Sequence, residues 1–535
     1  MRSHPFSLVM VFAAVHLAAL GEDSMHDRID QLVEAGQTAL IAEITDDAEF
    51  LRRVHLDFGG VIPDADTVRG FLTDAAPDKR QRVIDQLLKS PDYAPTMRDR
   101  FNIHLMERRG KDDLWLAWLE AAFKSNKPWD QMTRELIRAD FRDESSRGAA
   151  FFYSNRLTKS GQVPTDYPGL TRDVGRLFLG MDLQCAQCHN HKLIKDYDQI
   201  DFQGLMAGFS KLKLVRGDFP TVEEQLTTKK LEYASVFTGE PRVVGPRIPG
   251  LEEIEPVVFK RGEEYVQKPD RKTKTLGIPK FSPLTEFAQQ IHDAPTFSKN
   301  IVNRIWHMMM GRGIVEPLDQ FHSANPPSNP ELLELLASEF EKHRYDLKWL
   351  FGELALTKTY QRSSRFPDGA SPDRNASFLV ASERRLSAEQ LLASTLRAIS
   401  VKAEDAPLKN VKPEDENEDE FVGLESRFEA AFANEPKNPE LEFAPGMKAA
   451  LFAMNDEEVG KLLERNDALP SRLARETDTR KIVEELSIHI FGRMPTDLEI
   501  LDTTKFIDGS SGSRKVAIVD LAWAMLNSTE FVTNH

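Results

Sequence analysis

The chain has 535 residues, 41% of them hydrophobic, and a formal charge of −16 at neutral pH. That length supports two to four buried cores, and the acidic balance disfavours nucleic acid and anionic membrane as partners. Only two cysteines are present, Cys185 and Cys188, so a disulfide framework is excluded if that pair has another task.

Arg2 and His4 precede an apolar run over 6–20, and Ala19 and Gly21 put small residues before Glu22. This is the layout of a secretory signal over 1–21. The run is about 15 residues, against the roughly 20 that a spanning helix needs. No other apolar run approaches that length, so the mature chain is expected to be periplasmic or secreted and not an integral membrane protein.

Helical periodicity then dominates. Phe50, Leu51, Val54 and Leu56 mark a stripe over 47–56, and Val83, Ile84, Leu87 and Leu88 another over 78–88. Trp118, Leu119 and Ala122 continue the pattern over 115–123. Over 171–188, Val174, Leu177, Phe178 and Leu183 recur at helical intervals and lead into the cysteines. Tyr197, Phe202, Leu205, Met206 and Phe209 follow as an aromatic-rich amphipathic stretch.

From 211 to 283 the composition changes. Short β-type runs at 214–215, 236–237, 242–244 and 257–259 are punctuated by glycine and proline, which predicts a small irregular or β insertion. Helices resume at Thr285. Asn329 before Pro330, Asp346, and Ser387 with Gln390 three residues on are N-cap signals. The acidic, apolar-poor stretch 403–420 reads as a solvated linker. Gly60-Val61-Ile62-Pro63 and Gly492-Arg493-Met494-Pro495 each precede two helical segments ending near a Ser and an aromatic, which is a candidate internal repeat. The predicted fold is mainly α. Two helical domains are joined by a small irregular, β-containing insertion, with parts at 22–210, 211–283, 284–402, 403–420 and 421–535.

The chemistry concentrates at Cys185-Ala186-Gln187-Cys188-His189-Asn190-His191. Cys-x-x-Cys-His is the c-type haem attachment signature. Two thiols about one turn apart reach the two vinyl groups of one porphyrin, and the adjacent imidazole takes the iron as proximal ligand. The same residues also permit a zinc site built from both thiolates, His189 and His191. A redox dithiol is a weaker reading, because no thioredoxin-like βαβ pattern surrounds the pair. Met206 and His307 are the candidates for a sixth iron ligand. His307 ends a polar stripe, Asn300, Asn303, Arg304, His307, on the predicted helix 297–310, and Arg304 is the candidate partner for a haem propionate. No phosphate loop, Gly-x-Ser-x-Gly elbow or His-Glu-x-x-His helix is present.

The run from Phe178-Leu179-Gly180 through the motif to Asp201-Phe202-Gln203-Gly204-Leu205 resembles a family of secreted planctomycete proteins. So do Asn300 to His307, Gly311-Arg312-Gly313-Ile314-Val315, Asn325 to Leu333, Tyr360-Gln361-Arg362-Ser363-Ser364, Arg385 to Gln390 and Leu526 to Phe531. That resemblance implies an N-terminal cytochrome-like domain and a C-terminal planctomycete-specific domain, both of unknown function. The motif departs from the family's usual His-Asp-His-Pro-like tail with Asn190, His191 and Lys192, and Asn329 stands where His is common. Residues and resemblance together lead to an exported protein carrying covalent haem c, with electron transfer to an unidentified redox or surface partner. The open alternatives are a haem enzyme and a structural or binding module holding zinc.

Overall fold

The computed structural model describes residues 23–36, 40–157, 165–215, 217–270, 272–367, 378–410, 422–437, 447–510 and 512–535. The expected signal segment 1–21 and residues 411–420 of the acidic stretch lie outside them. The chain is mainly α-helical, and its described strands form two-stranded antiparallel pairs. Among the described residues, no helix is long and apolar enough to cross a membrane.

The stripe at 47–56 becomes helix Asp47–Gly59. Asp46 caps its start by accepting from the Ala48 and Glu49 N–H groups, and Gly60 ends it at φ 69°. Phe50, Leu51, Val54 and Phe58 enter a first core, while Leu56 joins a second with Val61 and Ile62. The first core gathers most of the buried apolar residues from Ile29 to Ile248 together with Leu284 to Leu379 and Ile488. The second is built from Leu386 to Phe531.

Most of the packing therefore passes from one core to the other between Leu379 and Leu386, and the first core runs across the insertion. The reason is the polar stripe of helix Phe297–Met310. Asn300 Nδ2 donates to the Leu177 carbonyl at 2.8 Å and Arg304 Nη2 to the Arg176 carbonyl at 2.6 Å. These bonds reach carbonyls in the last turn of helix Tyr167–Leu179 and dock the helices on either side of the insertion against each other.

Helix Tyr167–Leu179 stops nine residues short of the span expected from periodicity. Gly180 adopts φ 66° and its N–H returns to the Arg176 carbonyl. A Cβ there would lie 2.5 Å from the Phe321 ring and 2.9 Å from Asn300, so glycine is required for both conformation and space. The cysteines consequently sit beyond the helix, Cys185 opening the short 3₁₀ turn Cys185–Gln187 and Cys188 directly following it.

In the insertion, Leu231–Ala234 pairs with Pro241–Val244. Val236 and Phe237 fall in the turn between these strands, and Val257 and Val258 lie exposed outside any strand. Apolar character without a partner strand does not make a ladder.

The two repeat segments share their architecture. Helix Thr479–Phe491 ends at Gly492 with φ 75°, as helix Asp47–Gly59 ends at Gly60. Two helices follow in each, the first of them capped by Asp64 or Thr496, and each segment closes on a buried aromatic, Tyr93 or Phe531. The copies also touch, through Arg69 and Glu485 at 2.6 Å.

Helix Asp47–Gly59 ties the cores together. Asp57, fully buried, accepts from Arg100 Nη2 at 2.9 Å, Arg384 Nη2 at 2.7 Å, Tyr360 Oη at 2.7 Å and Asn534 Nδ2 at 3.2 Å. Burial pushes its carboxyl up, but Arg384 and Arg100 outweigh that and hold it below the usual carboxylate range. Arg52, one turn earlier, donates to the carbonyls of Ile490, Glu530, Phe531 and Thr533.

Candidate functional site

The cysteine motif lies on the surface. Both thiols are free and exposed, and Ala186 between them is buried as the anchor of the turn. Helix Gln199–Phe209 holds the turn by its backbone. Gln203 Nε2 donates to the Gln187 carbonyl at 2.8 Å, and the Gln199 N–H donates to Asn190 Oδ1 at 2.9 Å. The insertion hairpin closes over the other side, where the Val236 N–H meets the Cys188 carbonyl at 3.1 Å.

The two motif histidines differ in what their rings can offer. His189 Nδ1 lies 2.6 Å from the Asn190 carbonyl. A carbonyl only accepts, so Nδ1 carries the proton and Nε2 keeps the lone pair, the arrangement that orients a metal-binding histidine. His191 Nδ1 instead accepts the N–H groups of Leu193 at 3.2 Å and Ile194 at 2.9 Å. Its Nε2 then carries the proton, and its other nitrogen is occupied. Among the described residues, no three His, Cys, Asp or Glu side chains are gathered to hold a metal ion, so the donor set for a tetrahedral zinc site is not assembled.

Apolar surface flanks the motif. Leu193, Val236 and Phe237 are 84%, 67% and 61% exposed. The Phe237 ring stands 4.7 Å from the His189 ring and carries Lys192 Nζ at 4.7 Å on its face. This surface fits the group that the thiols and His189 imply, since a porphyrin presents an apolar face and needs attachment points open to it.

The remaining predicted residues lie elsewhere. Met206 follows Gln203 along helix Gln199–Phe209, half-buried, with its sulfur 3.5 Å from Thr171 Oγ1. Arg304 is buried on Asn300, the Arg176 carbonyl and Asp319. His307 and Arg304 line a cavity of about 600 Å³ whose walls include none of residues 185–191. The structure thus joins Cys185, Cys188 and His189 at one surface and Arg304 with His307 at another place.

That cavity lies where the two cores meet, and periodicity did not point to most of its walls. His104 and Glu107 enter from the end of helix Tyr93–Met106, and Arg384 and Arg385 from the strand before helix Ala388–Ala398. His104 Nε2 is buried without a hydrogen-bond partner. Burial, then the charges of Arg304, Arg176 and His307, hold this imidazole well below its ordinary value. The missed signal was the arginine content of apolar segments, where a buried guanidinium demands a carboxylate or carbonyl partner.

Residues 28–213 match the family described as PSCyt2, protein of unknown function (DUF1549). Residues 285–440 match PSD1, protein of unknown function (DUF1553). No curated protein matches the chain. No solved structure matches it either.

Proposed function

We propose that this chain, an N-terminal member of the first family joined to a C-terminal member of the second, is an exported c-type haem protein that transfers electrons. The observation that carries the reading is the His189 tautomer: Nδ1–H is spent on the Asn190 carbonyl and Nε2 keeps its lone pair, in a segment that also carries two exposed thiols. A haem held there would supply one-electron chemistry. Cys185 and Cys188 would attach it, and His189 would ligate its iron. Val236, Phe237 and Leu193 would shield one face from water. Thioether attachment takes place outside the cytoplasm, which agrees with the signal layout of 1–21. The surface position favours a carrier over an enzyme, because it shortens the path to a redox partner and offers no enclosed substrate volume.

The test is production of the full chain with its signal in a host with cytochrome c maturation. A Soret band that survives acid-acetone extraction and denaturing electrophoresis is expected, and Cys185→Ala with Cys188→Ala should abolish it. A colourless product with one zinc per chain would overturn the reading. A low-spin spectrum marks the carrier, whereas rapid ligand binding by the ferrous form marks a haem enzyme.

A further inference from the structure

The cavity between the two cores has the wrong sign for its surroundings. The protein carries 85 acidic and 69 basic residues. Yet Arg100, Arg176, Arg304, Arg384 and Arg385 line this space against Glu107 and Glu383. The acids behind the wall do not cancel them. Asp57 is shared by Arg100 and Arg384. Glu107, Asp173 and Asp319 face four guanidinium groups, those of Arg109, Arg156, Arg176 and Arg304. Among the described residues, each cluster therefore keeps one positive charge more than its carboxylates remove, and Glu383 shares the wall with Arg385. In a partly enclosed site such an excess is felt far more strongly than at an open surface.

We propose that this cavity binds a small organic anion, with its carboxylate, phosphate or sulfate head held by the guanidinium groups. A guanidinium presents five donor hydrogens in a planar fork that matches an oxyanion. Arg384, for example, spends donors on both Asp57 oxygens and the Met308 carbonyl and still reaches the cavity. The volume of about 600 Å³ suits a ligand of metabolite size. Ile103, Leu177, Met308, Leu318 and Phe432 supply apolar wall for its body. His104, kept neutral among the arginines, is suited to a hydroxyl or carbonyl of that body, because a neutral ring both donates and accepts. The site is separate from the cysteine motif and does not rest on the haem reading.

Titration calorimetry of the full chain at low salt, with citrate, inorganic phosphate and inorganic sulfate as probes, tests this directly. Saturable binding of at least one probe, with a dissociation constant of about 1 mM or below, is expected. Arg385→Ala and His104→Ala should each weaken it roughly tenfold or more. Arg480→Ala, on an exposed helix face, should leave it unchanged. Preference for citrate assigns a carboxylate head, and preference for phosphate or sulfate a tetrahedral one. Arg385 lies at the exposed rim, so its variant keeps the test valid should His104→Ala fail to fold. Absence of saturable binding for all three probes would overturn the proposal, as would affinities that neither cavity variant alters. The Cys185→Ala, Cys188→Ala chain should bind as the wild type does, and loss of binding there would refute the separateness of the two sites.

Discussion

The motif loop and the inter-core cavity solve opposite problems. At the loop, the reactive side chains face solvent while the backbone is held by Gln199, Gln203 and the Val236 N–H. At the cavity, side chains hold one another, and removing a buried partner such as Asp57 strands a charge away from bulk water. An attachment site needs short-range spacing and access. A binding cavity in an acidic protein needs carboxylates and guanidinium groups brought together from distant segments. Chemistry can therefore be deleted at the loop with little structural consequence, whereas the cavity is inseparable from the fold.

The largest effect should come from Asp57→Ala. It strands Arg100 and Arg384 and leaves Tyr360 Oη without its acceptor. Loss of one partner from a buried pair costs about 3–5 kcal/mol, read as a lower denaturant midpoint. A result under about 1 kcal/mol would mean that the junction is less tightly coupled than its geometry indicates.

Acidification should come next. Burial and then Arg397 push His55 down to about 4 from an ordinary 6.5, and its Nε2 is buried without a hydrogen-bond partner. His535 is likewise held at about 4, chiefly by burial. Both folded values lie below the unfolded one, so the unfolded chain binds the extra protons. Stability is complete above about pH 6.5 and is lost as pH falls toward 4. His55 alone accounts for about 2 kcal/mol at pH 5. Unfolding curves at pH 7.5 and pH 5 measure it, and His55→Asn should remove about half of the difference, His535 supplying a comparable share.

A smaller change, about 1 kcal/mol, is expected for Gln203→Ala, which removes the donor to the Gln187 carbonyl. Its sharper signature is lower covalent haem loading at near-normal stability. The smallest effect belongs to the double cysteine variant. Both thiols are exposed, so the midpoint should move by less than about 0.5 kcal/mol while the haem is lost entirely. A large drop there would erase the contrast between loop and cavity.

The same contrast governs what could be read in advance. Cys185, Cys188 and His189 are neighbours in sequence, and so are the caps at Asn329, Asp346 and Ser387, all of which the structure contains. Helix Phe297–Met310 follows its periodicity over the predicted span. Its polar stripe turned out to dock one helix onto another, because periodicity shows that a face is polar but not what it meets. Met206 and His307 were reasonable ligands by type, yet their surroundings depend on Thr171 and on a cavity assembled from distant segments. Asp57 went unnoticed because it interrupts an apolar stripe, and its four partners lie at Arg100, Tyr360, Arg384 and Asn534. The packing boundary was hidden for the same reason. The matched families end at 213 and resume at 285, but the first core continues across that gap.

Arg52 has a consequence for how the chain matures. Its guanidinium is fully buried, and the carbonyls that receive it include Phe531, 479 residues further on. During synthesis, helix Asp47–Gly59 leaves the ribosome long before those acceptors exist, so its charged face has nowhere dry to go. Contacts of such high sequence separation close late and slowly. The cysteine turn, by contrast, relies on neighbours within about fifty residues. For the proposed exported haem protein, this connectivity favours attachment at the accessible loop before residues 490–533 close the two cores.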